Sequence, residues 1–318
     1  MNRIFSLIGF FPRLEVLLRL IYWTYPAVQK VLTKFKKSII KSKTISNDVV
    51  ITLSDLKAEI QSHGIGLGDI LIVHSSMDML KRNDISELMV IDMLLDIIGD
   101  KGTLVMPAIP WYREAPKGME RLTKDVSDEV WTYNVQKSFP WTGSLPARMM
   151  GRKDARRGRH PLNTIVAIGA KKDELFQNEL SIDNPLPCGP ESPWAVCAKQ
   201  NAKILALGVD LVHSLTMIHV AEDCYSEVWP IKDWYRTRRF RVVDNGNEEI
   251  VQVRERHPKW ASFFAQKKLS KDLVDNNISR LSVIQNVSIC TLESNALLTF
   301  LKSKRGKGYP YYLWKNAR

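Results

Sequence analysis

Hydrophobic positions follow two rhythms along the chain. Short, uninterrupted apolar runs at residues 69–74, 102–107, 164–169 and 203–208 are too brief for helices and read as strands buried on both faces. Between and after them, apolar residues recur every three or four positions. This spacing predicts helices from Ser54, as cap, to Ser62, over Ser86–Ile98, Gly143–Met150 and Ser214–Asp223, and at 293–303. Helix and strand therefore alternate, with the first two strands apolar throughout. The expected fold is α/β, a layered and mostly parallel central sheet covered by helices on both faces. Late in the chain Arg238–Val243 and Ile250–Arg254 flank Asn245-Gly246, the signature of an antiparallel hairpin, and Val287–Thr291 adds a further strand.

Composition changes that picture only at the N-terminus. With 45% hydrophobic and 25% charged residues in 318, the chain has ordinary globular composition. Its net charge of +12 is uneven: residues 1–44 hold nine Lys/Arg against Glu15 alone, a net of +8, which leaves +4 for the rest. The body at 45–318 is thus not a polyanion binder, nucleic acid is not an expected partner, and ligands should be sought in a pocket. Residues 1–44 form a separate basic, amphipathic extension broken by Pro12 and Pro26. Two readings stay open for it: peripheral contact with an anionic membrane surface, or helices docked on the catalytic body or on a second copy in a homodimer. Arg3, Pro12, Arg13, Glu15 and Arg19 interrupt its apolar stretch, no small-residue cleavage site follows, and no apolar run reaches the roughly 20 residues of a membrane span. Cys188, Cys197, Cys224 and Cys290 lack zinc-ligand spacing, so free thiols, no metal and a cytoplasmic setting, extending to the inner face of the membrane, are expected.

Several polar groups punctuate the apolar framework. His74-Ser75-Ser76 ends a buried strand, where ligands commonly meet an open α/β sheet, although Ser and His also finish strands as turn formers. Arg157 precedes His160-Pro161. A histidine can take a proton near neutral pH, and the arginine could hold phosphate. His257-Pro258, beside Arg254 and Arg256, repeats the dipeptide, and spacing alone does not choose between the two. Ser192-Pro193 opens a helix, either as an ordinary cap or as an anion-facing terminus. Thr216, His219 and Glu222 recur every third residue, which on a helix aligns hydroxyl, imidazole and carboxylate. A phosphate-binding Gly-rich loop ending in Lys-Ser/Thr is absent. Gly64, Gly66 and Gly68 precede a strand, the wrong place for a dinucleotide fingerprint, and no Gly-x-Ser-x-Gly elbow occurs.

Taken in order, these pieces resemble the aminoglycoside 3-N-acetyltransferase family over roughly residues 51–303. The matching segments are Gly64–Asp69, His74–Ser76, Gly102–Pro107, Gly143–Pro146, Arg157–Pro161 with Thr164, Gly189–Pro193, Leu205–Val209 and Thr216–Glu222. The resemblance implies an acetyltransferase domain at 45–318 that uses acetyl-coenzyme A to acylate an amine on a small, sugar-like molecule. It implies His160 as general base, Glu222 orienting an imidazole, and Thr216 and His219 lining the place of reaction. Donor contacts fall to His74, Ser75, Ser76, Arg157, Ser192 and Thr216. Three departures bear on the acceptor: Ala147 stands where the family tends to carry Glu, Tyr133-Asn134 where it carries Phe-Asp, and the usual Gly after the His-Ser-Ser strand is missing near Asp78–Leu80. Fewer carboxylates point away from a polycationic antibiotic and towards the amino group of a nucleotide-linked sugar. O-acyl or formyl transfer on the same fold, and an inactive membrane-associated partner protein, are the alternatives.

Overall fold

A computed structural model of the chain describes residues 9–25, 28, 50–118, 120–180, 185–225, 231–304 and 308–312. Among these, the expected layered α/β fold forms around a seven-stranded sheet in the order β4-β5-β2-β1-β6-β10-β9. Its strands are β1 (Ile70–Ser75), β2 (Thr103–Pro107), β4 (Arg156–Arg157), β5 (Ile165–Gly169), β6 (Lys203–Leu207), β9 (Ser279–Ile284) and β10 (Val287–Glu293). The centre is parallel, with β1 between β2 and β6. Antiparallel pairs extend it on both sides: β5 and β4 beyond β2, β10 and β9 beyond β6.

Alternation along each strand divides the core into two layers. Ile70 and Ile72 of β1, with Ile204 and Ala206 of β6, face α5 (Pro193–Lys199), α6 (Ile218–Cys224), α7 (Gln266–Asp275) and α8 (Ser294–Ser303). Leu71 and Val73, with Leu205 and Leu207, face α2 (Leu53–Ser62), α3 (Glu87–Ile98) and α4 (Ser144–Met150). Each such Ile, Leu or Val side chain contributes roughly 1.5–3 kcal/mol by leaving water. The central strands are therefore the most strongly held part of the molecule.

Several boundaries differ from expectation for local reasons. The cap of α2 is Thr52, not Ser54: its hydroxyl accepts from the Asp55 amide while the Asp55 carboxylate accepts from the Thr52 amide. The helix expected over 214–223 is divided into a single turn at Leu211–Ser214 and α6, which starts at Ile218. The hairpin is longer than its apolar core, β7 (Tyr235–Asp244) paired with β8 (Asn247–Arg256). Asn245 and Gly246, at φ 49° and 84°, form the left-handed turn between them. It builds a second, three-stranded sheet in which β3 (Val130–Asn134) runs parallel to β7.

At the N-terminus α1 (Pro12–Thr24) packs on the body. Val16 is buried, Arg19 bonds the Ala261 carbonyl and Gln266, and the Glu15 carboxylate accepts from the amides of Lys267 and Lys268 at 2.7 and 3.1 Å. Those amides open α7, whose cap residue Ala265 supplies no side-chain acceptor, so Glu15 caps a helix some 250 residues away in sequence. The break expected at Pro26 lies outside the described residues. No helix among them is long and apolar enough to cross a membrane.

Candidate active site

The parallel centre brings β1 and β6 to a shared carboxyl edge. The Ser76 amide donates to the Leu207 carbonyl, and Gly208 lies so close to Ser76 that a Cβ there would stand 2.7 Å from its carbonyl oxygen. With φ at 67°, that position suits glycine alone. The chain then turns through residues 211–217 and enters α6, which starts from this edge.

On α6, His219 and Glu222 lie three residues apart and meet as the sequence spacing implied. His219 Nδ1 is 2.7 Å from Glu222 Oε2. Glu222 is almost fully buried, whereas the His219 side chain keeps about a fifth of its surface exposed. Two residues that sequence reasoning did not connect complete the carboxylate's surroundings. Tyr311 donates its hydroxyl to Oε1 at 2.5 Å, and Arg256 lies 3.5 Å from Oε2 while also bonding the Tyr311 hydroxyl. Burial alone would raise the Glu222 pKa, but His219, Arg256 and Tyr311 together hold it below the usual carboxylate value. Burial lowers the His219 pKa, with Glu222 opposing and Arg256 assisting. At neutral pH the pair is therefore a carboxylate and a neutral imidazole. Because an ionised carboxylate only accepts, the proton belongs on Nδ1 and the lone pair on Nε2.

Beside it, Asp223 is buried and carries a second carboxyl into the same helix end. Its Oδ2 accepts from the Cys188 amide at 3.0 Å and its Oδ1 from the Tyr235 hydroxyl at 2.9 Å. Burial first, then the neighbouring Glu222, raises its pKa to about 7. Cys224 adds a contact from its thiol to the Cys188 carbonyl, so α6 and the segment 185–190 are fastened together.

His160, the expected base, also contacts that segment. It is buried, its Nδ1 meets the Leu162 amide at 3.1 Å, and its Nε2 lies 3.4 Å from the Pro185 carbonyl. Both ring nitrogens thus face backbone groups, and burial lowers the pKa to about 4. His160 and the α6 cluster contact one loop at positions three residues apart, Pro185 and Cys188. His257 caps the 3₁₀ turn Pro258–Phe263 through the Lys259 amide, which accounts for the second His-Pro dipeptide.

The expected donor contacts separate into two groups. Ser75 and Ser76 are partly exposed at the sheet edge, and His74 beneath them is buried, stacked 6.4 Å from Trp194, with its pKa lowered by burial to about 4. Ser192 is the cap of α5, accepting from the Ala195 amide. Thr216 donates to the Ser214 carbonyl at 3.3 Å, which turns its hydroxyl towards its own backbone. Arg157 directs its guanidinium to the carbonyls of Ala108, Val135 and Ser138 and lies over the Tyr133 ring. The cleft beside it, of about 530 Å³, includes Arg156, Arg159, Asp244 and Asn245 but no residue of the His219 cluster. Among the described residues no group of three or more His, Cys, Asp or Glu side chains could hold a metal.

Comparison with known proteins bears on the family and the fold. Residues 72–304 match the family described as aminoglycoside 3-N-acetyltransferase. The chain is 28% identical over 178 residues to aminoglycoside N(3)-acetyltransferase IX of Micromonospora chalcea, covering 54% of this chain and 62% of that protein, so it spans about three-fifths of that relative's length. It is 28% identical to the prophage-derived aminoglycoside N(3')-acetyltransferase-like protein YokD of Bacillus subtilis, over 68% of this chain and 75% of that one. Its fold is similar to that of AAC-IIIb in binary complex with coenzyme A, at a TM-score of 0.65 and 21% identity, covering 82% of this chain and 100% of the other. With nearly three-quarters of its length inside the family match, the chain belongs to the aminoglycoside 3-N-acetyltransferase family.

Proposed function

We propose that the chain transfers an acetyl group from acetyl-coenzyme A to an amine of a sugar-like acceptor, with His219, rather than His160, as general base. One observation carries the assignment: Nδ1 of a partly exposed His219 is held by the buried Glu222, which directs a basic Nε2 away from the carboxylate. His219 would take a proton as the amine nitrogen attacks the thioester carbon, and would return it to the departing thiolate as the C–S bond breaks. Glu222, kept ionised by Tyr311 and Arg256, steadies the imidazolium in between. Family membership supports the donor. In a direct assay with mass detection, His219→Ala lowers turnover by about two to four orders of magnitude, whereas His160→Gln stays within about tenfold. The reverse ranking removes His219 from the role.

For the acceptor, we infer a nucleotide-linked amino sugar in preference to an aminoglycoside. The positions poor in carboxylates are occupied by groups turned to structural work. Tyr133 is buried and donates to the Gly158 carbonyl at 2.6 Å, and the Asn134 side chain accepts from the Gln136 and Lys137 amides. Offering the protein both acceptor classes with acetyl-coenzyme A, and weighing the products, tests this directly. Faster transfer to an aminoglycoside overturns it.

A second reading concerns α1. It leaves Leu14, Leu17 and Leu18 exposed, with Phe10 and Phe11 exposed just before it, and residues 1–44 as a whole carry a net charge of +8. This favours peripheral contact with an anionic membrane surface while the helix stays docked. Replacing Leu14 and Leu18 by Glu should abolish co-sedimentation with anionic vesicles. Equal binding to neutral vesicles, or unchanged binding of the variant, rules the contact out.

A further inference from the structure

Beyond β2 the chain forms a small antiparallel ladder with the segment that precedes α4. Pro110 opposes Pro140, the Trp111 amide donates to the Phe139 carbonyl at 2.8 Å, and the Trp141 amide donates to the Ile109 carbonyl at 3.0 Å. This bonding makes 110 and 140 the pair that exchanges no hydrogen bonds, so prolines, which lack N–H, fit there without loss. Side chains alternate across such a ladder. Both prolines are buried, which places Trp111, Phe139 and Trp141 together on the opposite, outward face. They are 57%, 64% and 59% exposed.

Three large aromatic rings on one solvent-facing surface are unusual, since apolar patches on a chain's exterior tend to mark binding sites. Their position is informative. The Thr142 hydroxyl donates to the carbonyl of Pro107, the last residue of β2, and Gly143 lies against the Ser75 carbonyl at the end of β1. The aromatic face is therefore anchored to the carboxyl edge of the sheet from which α6 and His219 also start. In the order β2-β1-β6, the strand it is anchored to lies two strands, about 10 Å at the usual spacing, from the strand whose connection leads to α6. Exposed Arg113 and Lys137 lie two residues from Trp111 and Phe139, with Glu114 as the neighbouring acid.

We propose that Trp111, Phe139 and Trp141 form a stacking platform for the nucleobase of a nucleotide-linked acceptor, whose diphosphate passes Arg113 and Lys137. This rests on the transferase reading given under the proposed function. Aromatic faces suit a flat heterocycle, flanking cations suit phosphate, and a base is held away from the reacting amine by ribose, diphosphate and hexose, which suits a platform anchored to β2 while α6 follows β6, two strands along the sheet.

Calorimetry with UDP as the probe, and separately with coenzyme A, tests the platform on the full chain. Trp111→Ala and Trp141→Ala should each weaken UDP binding roughly tenfold, the usual scale for one lost stacking partner. Trp111→Phe should restore most of it, and coenzyme A binding should stay unchanged. The same variants should raise KM for a UDP-linked amino sugar with kcat retained. No UDP binding by the parent protein, equal UDP binding by all variants, or a loss confined to coenzyme A each overturns the platform; the last assigns the rings to the donor's adenine. Acetyl transfer to a UDP-linked amino sugar with KM unchanged in the variants sinks the platform alone. Tryptophan-dependent UDP binding without such transfer sinks the acceptor reading alone.

Discussion

A neutral imidazole held by an ionised carboxylate has a definite pH signature. His219 is pushed below its ordinary value by burial, so the rate should fall as pH drops through a pKa under 6.5. Glu222 raises that pKa, and Glu222→Gln should therefore move the acid limb to lower pH while lowering the plateau, which a rate profile from about pH 5 to pH 8 would show. An unmoved limb means that another group titrates. Glu179 offers a separate check on stability. It is buried beside the amides of Arg159 and His160, and burial outweighs those amides and raises its pKa to about 7 from 4.5. The folded state thus holds this proton more tightly than the unfolded chain. Its contribution is fully present below pH 4.5 and is lost as pH rises through about 7. Glu179→Gln should flatten the decline in Tm between about pH 5 and pH 8, and an unchanged slope would assign the titration elsewhere. At this scale the sequence disclosed His219 with Glu222, because helical neighbours three apart must meet. Arg256 and Tyr311 escaped it, being 34 and 89 residues from Glu222, where no local period links them. For His160 the dipeptide shows the residue but not the backbone groups that face its two nitrogens.

Elements were legible in proportion to how apolar they are. The four buried strands around residues 70, 104, 166 and 205 stand out because both faces lie under helices. By contrast β9 is an edge strand with Leu281 and Val283 exposed, and α7 turns only Leu269 and Leu273 inward among its hydrophobic residues, leaving a weak periodic signal. The docking of α1 was one of two open readings, since an amphipathic face does not name what it meets. Glu15 provides a test of that contact. Because it caps α7 from another helix, Glu15→Gln should cost about 1–2 kcal/mol, the scale of a lost cap, and expose α1 to proteolysis earlier. Unchanged urea denaturation and unchanged cleavage would show that the cap carries little.

Over the whole molecule, the parallel centre was readable because β1 and β2 are joined through α3 by a short crossover. The antiparallel margins were not, since β5 returns to β2 only after β3, α4 and β4 have intervened, and strand direction leaves no mark on composition. Both described ends of the chain converge on one stretch. Arg19 and Glu15 reach residues 261–268 from the front, while Pro310 and Tyr312 bond Ala265 and Phe263 from the rear. The hydroxyl that Tyr311 supplies to Glu222 therefore comes from a segment whose two flanking residues are held by that stretch. Loosening the two backbone bonds at Phe263 and Ala265 would leave the sheet and α6 in place yet take a donor away from the buried carboxylate. On the role proposed for Glu222, Tyr311→Phe should leave the fold intact while slowing acetyl transfer, so that a hinge remote in sequence would govern the rate.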